Sequence, residues 1–156
     1  MSLLLKGVSA SRGIVIGQAL LLSGSAADGG QKRQIEAREV EPEIARLQKA
    51  VAMTREQLLD LKRKVGVEIG QKQAEIFNAH LLFLDDPTFQ VESQEQVRKE
   101  RFSAEWAVSQ YVDRYANMLA AVGDNAMRER QGDIHDVGRR LIQNLRGGPL
   151  APLNDA

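Results

Sequence analysis

Cysteine is absent from all 156 residues. That excludes disulfides, thiolate nucleophiles and cysteine-based zinc sites, and it is compatible with a reducing compartment. Aromatic residues make up only 4% of the chain, so the core must be built from Leu, Ile, Val and Ala, which suits helices better than a β-sandwich. Neither charge is in excess: 21 Lys and Arg balance 21 Asp and Glu. No global basic field exists to attract nucleic acid, and any charged docking surface has to be local. No apolar run approaches the roughly 18 residues of a membrane span. Met1-Ser2-Leu3-Leu4-Leu5-Lys6 also lacks the basic region that precedes the apolar part of a signal peptide. The expectation is a cytoplasmic protein that binds neither nucleic acid nor membrane.

What is present is enough for one domain with a proper core: 43% of residues are hydrophobic and 27% charged, as in soluble globular proteins. From Leu3 to about Ser23, short leucine or β-branched stretches are cut by Gly7, Gly13 and Gly17, which predicts two short strands around a turn at Ser11-Arg12-Gly13. Two strands make no stable sheet alone, so this segment needs partners that the rest of the chain does not obviously supply. The small, polar stretch from Ser23 to Lys32 reads as a linker.

From about Glu41 the period changes. Ile44, Leu47, Val51, Leu58, Leu61 and Val65 recur at spacings of three and four, with Thr54 in the one polar slot, and predict a long helix weakened or ended by Gly66. A second helical stretch spans about Glu68 to Asp85. Ile76, Phe77, Leu81, Leu82, Phe83 and Leu84 crowd its end too closely for one face, so part of that cluster is expected at the surface. Asp86-Pro87 reads as an N-cap and first helical residue, opening a helix to about Arg101 with Phe89 and Val97 inward. Ser103 caps the next, whose inward face uses Trp106, Tyr111, Tyr115, Met118, Leu119 and Val122. After a break at Gly123-Asp124-Asn125, the last helix carries Met127, Ile134, Val137, Leu141, Ile142 and Leu145, and Gly147 and Gly148 are C-cap candidates. Gly132 and Gly138, costly inside a helix, are expected where a neighbouring helix approaches closely. The predicted class is mainly α: an antiparallel helical bundle preceded by a short β segment.

Three stretches resemble the Enzyme I family of the phosphoenolpyruvate-dependent sugar phosphotransferase system, in that family's order and spacing. They are Gly7-Val8-Ser9-Ala10-Ser11-Arg12-Gly13-Ile14-Val15-Ile16-Gly17-Gln18-Ala19; Ala74-Glu75-Ile76-Phe77-Asn78-Ala79-His80-Leu81-Leu82-Phe83-Leu84-Asp85-Asp86-Pro87; and Arg130-Gln131-Gly132-Asp133-Ile134-His135-Asp136-Val137-Gly138-Arg139-Arg140-Leu141. The resemblance runs from Lys6 to Gly147. It implies that residues 1–30 are the strands and linker of an incomplete α/β phosphohistidine domain, that 31–147 are the helical subdomain that binds the phosphocarrier HPr, and that 148–156 lead toward a missing remainder. The family's catalytic histidine sits in a Thr-Ser-His motif, which does not occur here. No catalytic residue is therefore expected in this chain, nor any cofactor. For the full-length family the resemblance implies Mg2+ and a homodimer formed through a C-terminal domain.

The resemblance assigns partner binding to Glu68, Glu75, His80, Leu82, Phe83, Asp85, Phe89 and Arg130. Each also has a plainer reading. His80 alone could be a core or surface histidine with a hydrogen-bond partner, and Leu82, Phe83 and Phe89 could be core. The carboxylates could be solvated charges, and Arg130 could pair locally with Asp133. If the assignment holds, the acids steer basic carrier surfaces. The family's acidic pattern is thinner here, with Gln71, Lys72 and Gln73 where glutamates are common. His135, beside Asp133 and Asp136, is expected to be a solvated surface residue, and no metal site is expected. The alternatives are the nitrogen-related Enzyme I branch with an HPr-like carrier, and a helical adaptor that self-associates through the stripe from Ile44 to Val65. A carboxylate-bridged metal bundle is excluded by the lack of any Glu-x-x-His.

Overall fold

The computed structural model describes residues 32–121 and 125–147. The strand-turn-strand expected at 1–30 and the linker at 148–156 lie outside the described residues, as does Val122.

Among the described residues, six α-helices follow a 3-10 turn at Ala37–Glu39. The turn is opened by a capping box in which the Glu36 backbone N–H donates to Glu39 Oε2 at 2.7 Å. It leads into α1, Val40–Glu68, where the apolar stripe wins: Ile44, Leu47, Ala50, Thr54 and Leu58 are buried. Thr54 occupies its polar slot by donating to the Ala50 carbonyl at 2.7 Å. Gly66 does not end the helix. The break falls at Gly70, whose φ of +141° is a backbone state that side chains other than hydrogen resist. A mid-helix glycine costs only about 1 kcal/mol, which the surrounding turns of a long helix absorb.

The second helical stretch is split in two, α2 at Gln71–Ala74 and α3 at Ile76–Leu84. Between them the Glu75 N–H bonds back to Lys72 O, three residues earlier, a tighter turn that re-aims the chain. Helix α4, Pro87–Glu100, starts as expected: the Asp86 carboxylate accepts from the Thr88 N–H at 2.8 Å, with Pro87 in the first turn. It ends at Arg101, in the left-handed region. Helix α5 is Ala104–Ala121 and α6 is Asn125–Leu145. Ser103 Oγ accepts from the Trp106 N–H at 3.4 Å, and Gly147 takes a φ of +83° just after α6.

The long helices alternate in direction. Glu41 near the start of α1 meets Arg98 near the end of α4, and Arg46 of α1 reaches both Glu105 at the start of α5 and the Leu145 carbonyl at the end of α6. The larger of two apolar clusters runs through the bundle, from Leu47 and Leu58 through Leu84, Phe89 and Val108 to Val137 and Leu141, and a smaller one gathers Ile35, Ile44, Val97 and Ala107. The few aromatics are concentrated within the larger: Phe83 and Phe89 ring centroids are 4.8 Å apart, and Tyr111 lies 5.2 Å from Phe89. The inward face of α5 differs from expectation. Ala104, Ala107, Val108, Val112 and Ala116 are buried beside Tyr111, whereas Met118 is 56% exposed. Small side chains let α5 lie close to α6, and the larger ones are displaced to its flank.

An ionic clasp holds the end where four helix termini meet. Arg46 donates to Glu43 at 2.6 and 3.1 Å, to Glu105 twice at 2.7 Å and to the Leu145 carbonyl at 2.6 Å. Glu43 Oε1 also accepts from the Ala104 N–H at 2.8 Å, placing a carboxylate at the positive end of α5. The Arg46 pKa is raised, chiefly by its hydrogen bond to Glu105. Burial pushes the Glu105 carboxyl up, but the hydrogen bond from Arg46 and its own backbone outweigh that and hold it below the usual glutamate range. The incoming segment is fixed at the same end: Ile35 N–H donates to Arg101 O and Ser103 N–H to Arg33 O, both at 2.8 Å.

Candidate functional site

The residues marked out by the sequence fall into two groups. Exposed on one line of α3 and its two caps are Glu75, Asn78, Leu82 and Asp85, at intervals of three and four that align along a single helix face. Leu82 is 73% exposed, with a carboxylate seven residues before it and another three after. Glu68 is exposed at the end of α1, flanked by Val67 at 81% and Ile69 at 66% exposure. Arg130 is exposed on α6 and makes no ion pair among the described residues.

The inward faces of α3 and of the start of α4 correct three expectations. Phe83 (6% exposed) and Phe89 (fully buried) belong to the aromatic core and present no ring to solvent. Burying two phenylalanines stabilises the fold by several kcal/mol, of order 1.5–3 each, and this outweighs their use as surface anchors. Of the three apolar residues assigned to a partner, only Leu82 is available. His80 is also buried, at 7%. Its Nε2 lies 3.7 Å from Asp133 Oδ1 on α6, and its ring stands edge-on to Phe77 with centroids 5.9 Å apart. Asp133 therefore faces His80, and the expected local pair with Arg130 does not form. His135 is part-exposed, as a solvated helix position would be.

Val67 and Ile69 were not among the residues singled out from sequence, whereas Ile76, 49% exposed, belongs to the cluster expected partly at the surface. Four of the eight exposed large hydrophobics among the described residues, Val67, Ile69, Ile76 and Leu82, lie within this short stretch. The signal was available: Val67 and Ile69 sit past the last stripe position and just before Gly70. The same stretch, Val67 to Asp86, holds four carboxylates against one lysine, Lys72, a local acidic field in a neutral chain. Asp85 is tied to Arg55 of α1 at 3.0 Å, which fixes where that carboxylate stands.

A separate groove of about 410 Å³ lies between α4 and α5, lined by residues that include Asp86, Glu92, Tyr111, Arg114 and Met118. Its charges are largely satisfied internally, since Arg114 pairs with Glu92 and lies over the Tyr111 ring. The Tyr111 phenol is pushed up to about 12, by burial first and then by Asp86 and Glu92. Among the described residues no three His, Cys, Asp or Glu side chains could together hold a metal ion, and no helix is long and apolar enough to cross a membrane.

Fold and surface together define, among the described residues, a helical bundle with an acid-flanked apolar corner around α2 and α3. The chain belongs to the family of PEP-utilising enzymes, N-terminal, whose model matches residues 6–130. It is 38% identical over 141 residues to a phosphoenolpyruvate-protein phosphotransferase of Geobacillus stearothermophilus, covering 90% of this chain and 24% of the relative. Against the protein of the same name from Listeria innocua it is 34% identical over 143 residues, covering 92% and 24%. The chain thus spans about a quarter of the length of these curated relatives. A solution structure of an Enzyme I protein is similar with a TM-score of 0.75 and 34% identity, over 81% of this chain and 51% of that one. The N-terminal domain of a nitrogen Enzyme 1 is similar with a TM-score of 0.69 and 26% identity, over 78% and 51%.

Proposed function

We propose that residues 31–147 are the module by which a phosphoenolpyruvate-protein phosphotransferase holds the phosphocarrier HPr. The parent enzyme would pass a phosphoryl group from phosphoenolpyruvate, through a histidine in a Thr-Ser-His motif that these 156 residues do not contain, to a histidine of HPr during sugar uptake in the cytoplasm. Residues 1–30 would belong to the phosphohistidine domain and 148–156 would connect onward. Dimerisation of the parent, and its use of Mg2+, are part of the same proposal and rest on resemblance alone.

The observation that carries this reading is the α3 line: a single leucine, 73% exposed, between the carboxylates of Glu75 and Asp85. An isolated exposed leucine needs no explanation. One on an acidic face, beside Val67, Ile69 and Ile76, suits a partner with an apolar patch rimmed by basic residues. The apolar contacts supply affinity and the carboxylates steer encounter and orient the carrier. The module does no bond chemistry. Its contribution is to present the carrier's histidine in line with the phosphoryl donor, and positioning of that kind lowers a barrier by several kcal/mol. The adaptor alternative loses its surface, because the Ile44 to Leu58 stretch of the α1 stripe is already covered by the chain's own helices.

The test is an NMR titration of the isotope-labelled chain with HPr and, in parallel, with the nitrogen-branch carrier. Shifts are expected at Val67 to Ile69, Glu75 to Asp85 and Arg130. Shifts confined to the α4–α5 groove, or no binding of either carrier, would reject the proposal. Tighter binding of the second carrier would move the chain to the nitrogen branch.

A further inference from the structure

His80 and Leu82 lie two residues apart on α3, so about 200° of helix rotation separates them: one points into the bundle and the other out to solvent. Helix α3 has nine residues, too few to hold itself in place. Polar contacts tie it to three neighbours. Asp85 pairs with Arg55 of α1 at 3.0 Å, the Leu84 carbonyl accepts from Gln90 Nε2 of α4 at 2.9 Å, and His80 faces Asp133 of α6. The third contact is the incomplete one. His80 Nε2 is buried without a hydrogen-bond partner, and 3.7 Å to Asp133 Oδ1 is just beyond hydrogen-bonding range. A buried ring nitrogen left unpaired is costly. A carboxylate at this distance is the group that relieves the cost, provided Nε2 carries the proton.

We infer that His80 is a positioning residue, whose Nε2–H faces Asp133 and fixes how α3 rests on α6, and with it where Leu82 and Glu75 stand for a docking partner. This rests on the docking reading above, but the contact itself can be tested without a partner. The ring touches no carrier. It acts through the helix that it anchors, which is why a buried histidine lies directly behind an exposed apolar residue.

Two substitutions separate positioning from bulk packing. His80→Gln places an amide N–H near the position of Nε2, whereas His80→Leu keeps volume and removes the donor. Long-range 15N–1H correlation spectra of the wild-type chain should show the His80 proton on Nε2, with a shift in that nitrogen on Asp133→Asn. Amide resonances of Leu81 to Asp85 should move in His80→Leu and stay near wild type in His80→Gln. Carrier affinity should fall about five- to tenfold in His80→Leu, which removes the polar contact with Asp133 and leaves its carboxylate facing a hydrocarbon, and recover to within about twofold in His80→Gln. Asp133→Leu should weaken binding similarly, and the double variant His80→Leu/Asp133→Leu no further. An Nε2 without a proton, His80→Gln behaving as His80→Leu, or additive losses in the double variant would each overturn the inference. If no carrier bound at all, the docking reading would fall, and the ring and amide spectra would still decide the role of His80.

Discussion

Gly138 of α6 packs directly against Val112 of α5: a Cβ added at residue 138 would stand 2.8 Å from Val112 Cγ2 and 3.1 Å from its Cγ1. Val112 is 5% exposed and stiff at χ1, so it cannot turn aside. Gly132, two turns earlier, has nothing within 4 Å of the same added atom. Gly138→Ala should therefore lower stability by about 1 kcal/mol, with overpacking of roughly 1–3 kcal/mol partly offset by helix propensity. Gly132→Ala should raise it by somewhat under 1 kcal/mol. Urea denaturation of the two variants reads the opposite signs directly, and equal effects would contradict the packing.

Leu82 and Phe89 should part company when truncated. Leu82→Ala is expected to leave stability within about 0.5 kcal/mol of wild type and to weaken carrier binding at least about tenfold. Phe89→Ala should cost about 3–5 kcal/mol through loss of the buried ring, with any effect on binding following from unfolding. Thermal melts beside calorimetric titration distinguish the two. Wild-type affinity in Leu82→Ala would remove the main support for the α3 docking face.

The Arg46 clasp predicts an acid dependence. Glu105 has its folded pKa held below the unfolded value, so it stabilises the fold above the ordinary glutamate range. That stability is lost as pH falls through its lowered folded pKa. Glu105→Gln should flatten the acid limb of a stability-versus-pH curve. Arg46→Met should cost more, about 2–3 kcal/mol, because it leaves two partly buried carboxylates without their cation. An acid limb unchanged in Glu105→Gln would argue against the clasp.

At the other extreme, Tyr111 has its folded pKa pushed up to about 12. The unfolded chain releases this proton near pH 10 while the folded protein keeps it, so stability falls from about pH 10 to about 12 and levels off above. The loss from this residue is at most about 3 kcal/mol. Tyr111→Phe should remove that part of the alkaline decline, which denaturant midpoints measured between pH 9 and 12 would show.

Most of the helical plan was legible because it is carried by local rules. Three- and four-residue spacing marked Ile44, Leu47 and Leu58, and likewise Ile134, Val137 and Leu141. Asp86-Pro87 announced a cap and Ser103 another. The end of α1 was less legible, since Gly66 and Gly70 look alike in sequence and only the backbone at Gly70 adopts a positive φ.

The sequence by itself determined that the chain is helical from about Glu41 onward, that Val67 to Asp86 carries four carboxylates against one lysine, and that the leucines and phenylalanine ending α3 exceed one face. Those follow from composition and period, which each residue carries with it. Only the tertiary structure decided that Leu82 stays outside while Phe83 and Phe89 go in, that Asp133 turns to His80 instead of Arg130, and that Gly138, not Gly132, is the point of close approach. These depend on how one helix is rotated against another, which is settled by side chains distant in sequence meeting in a shared core.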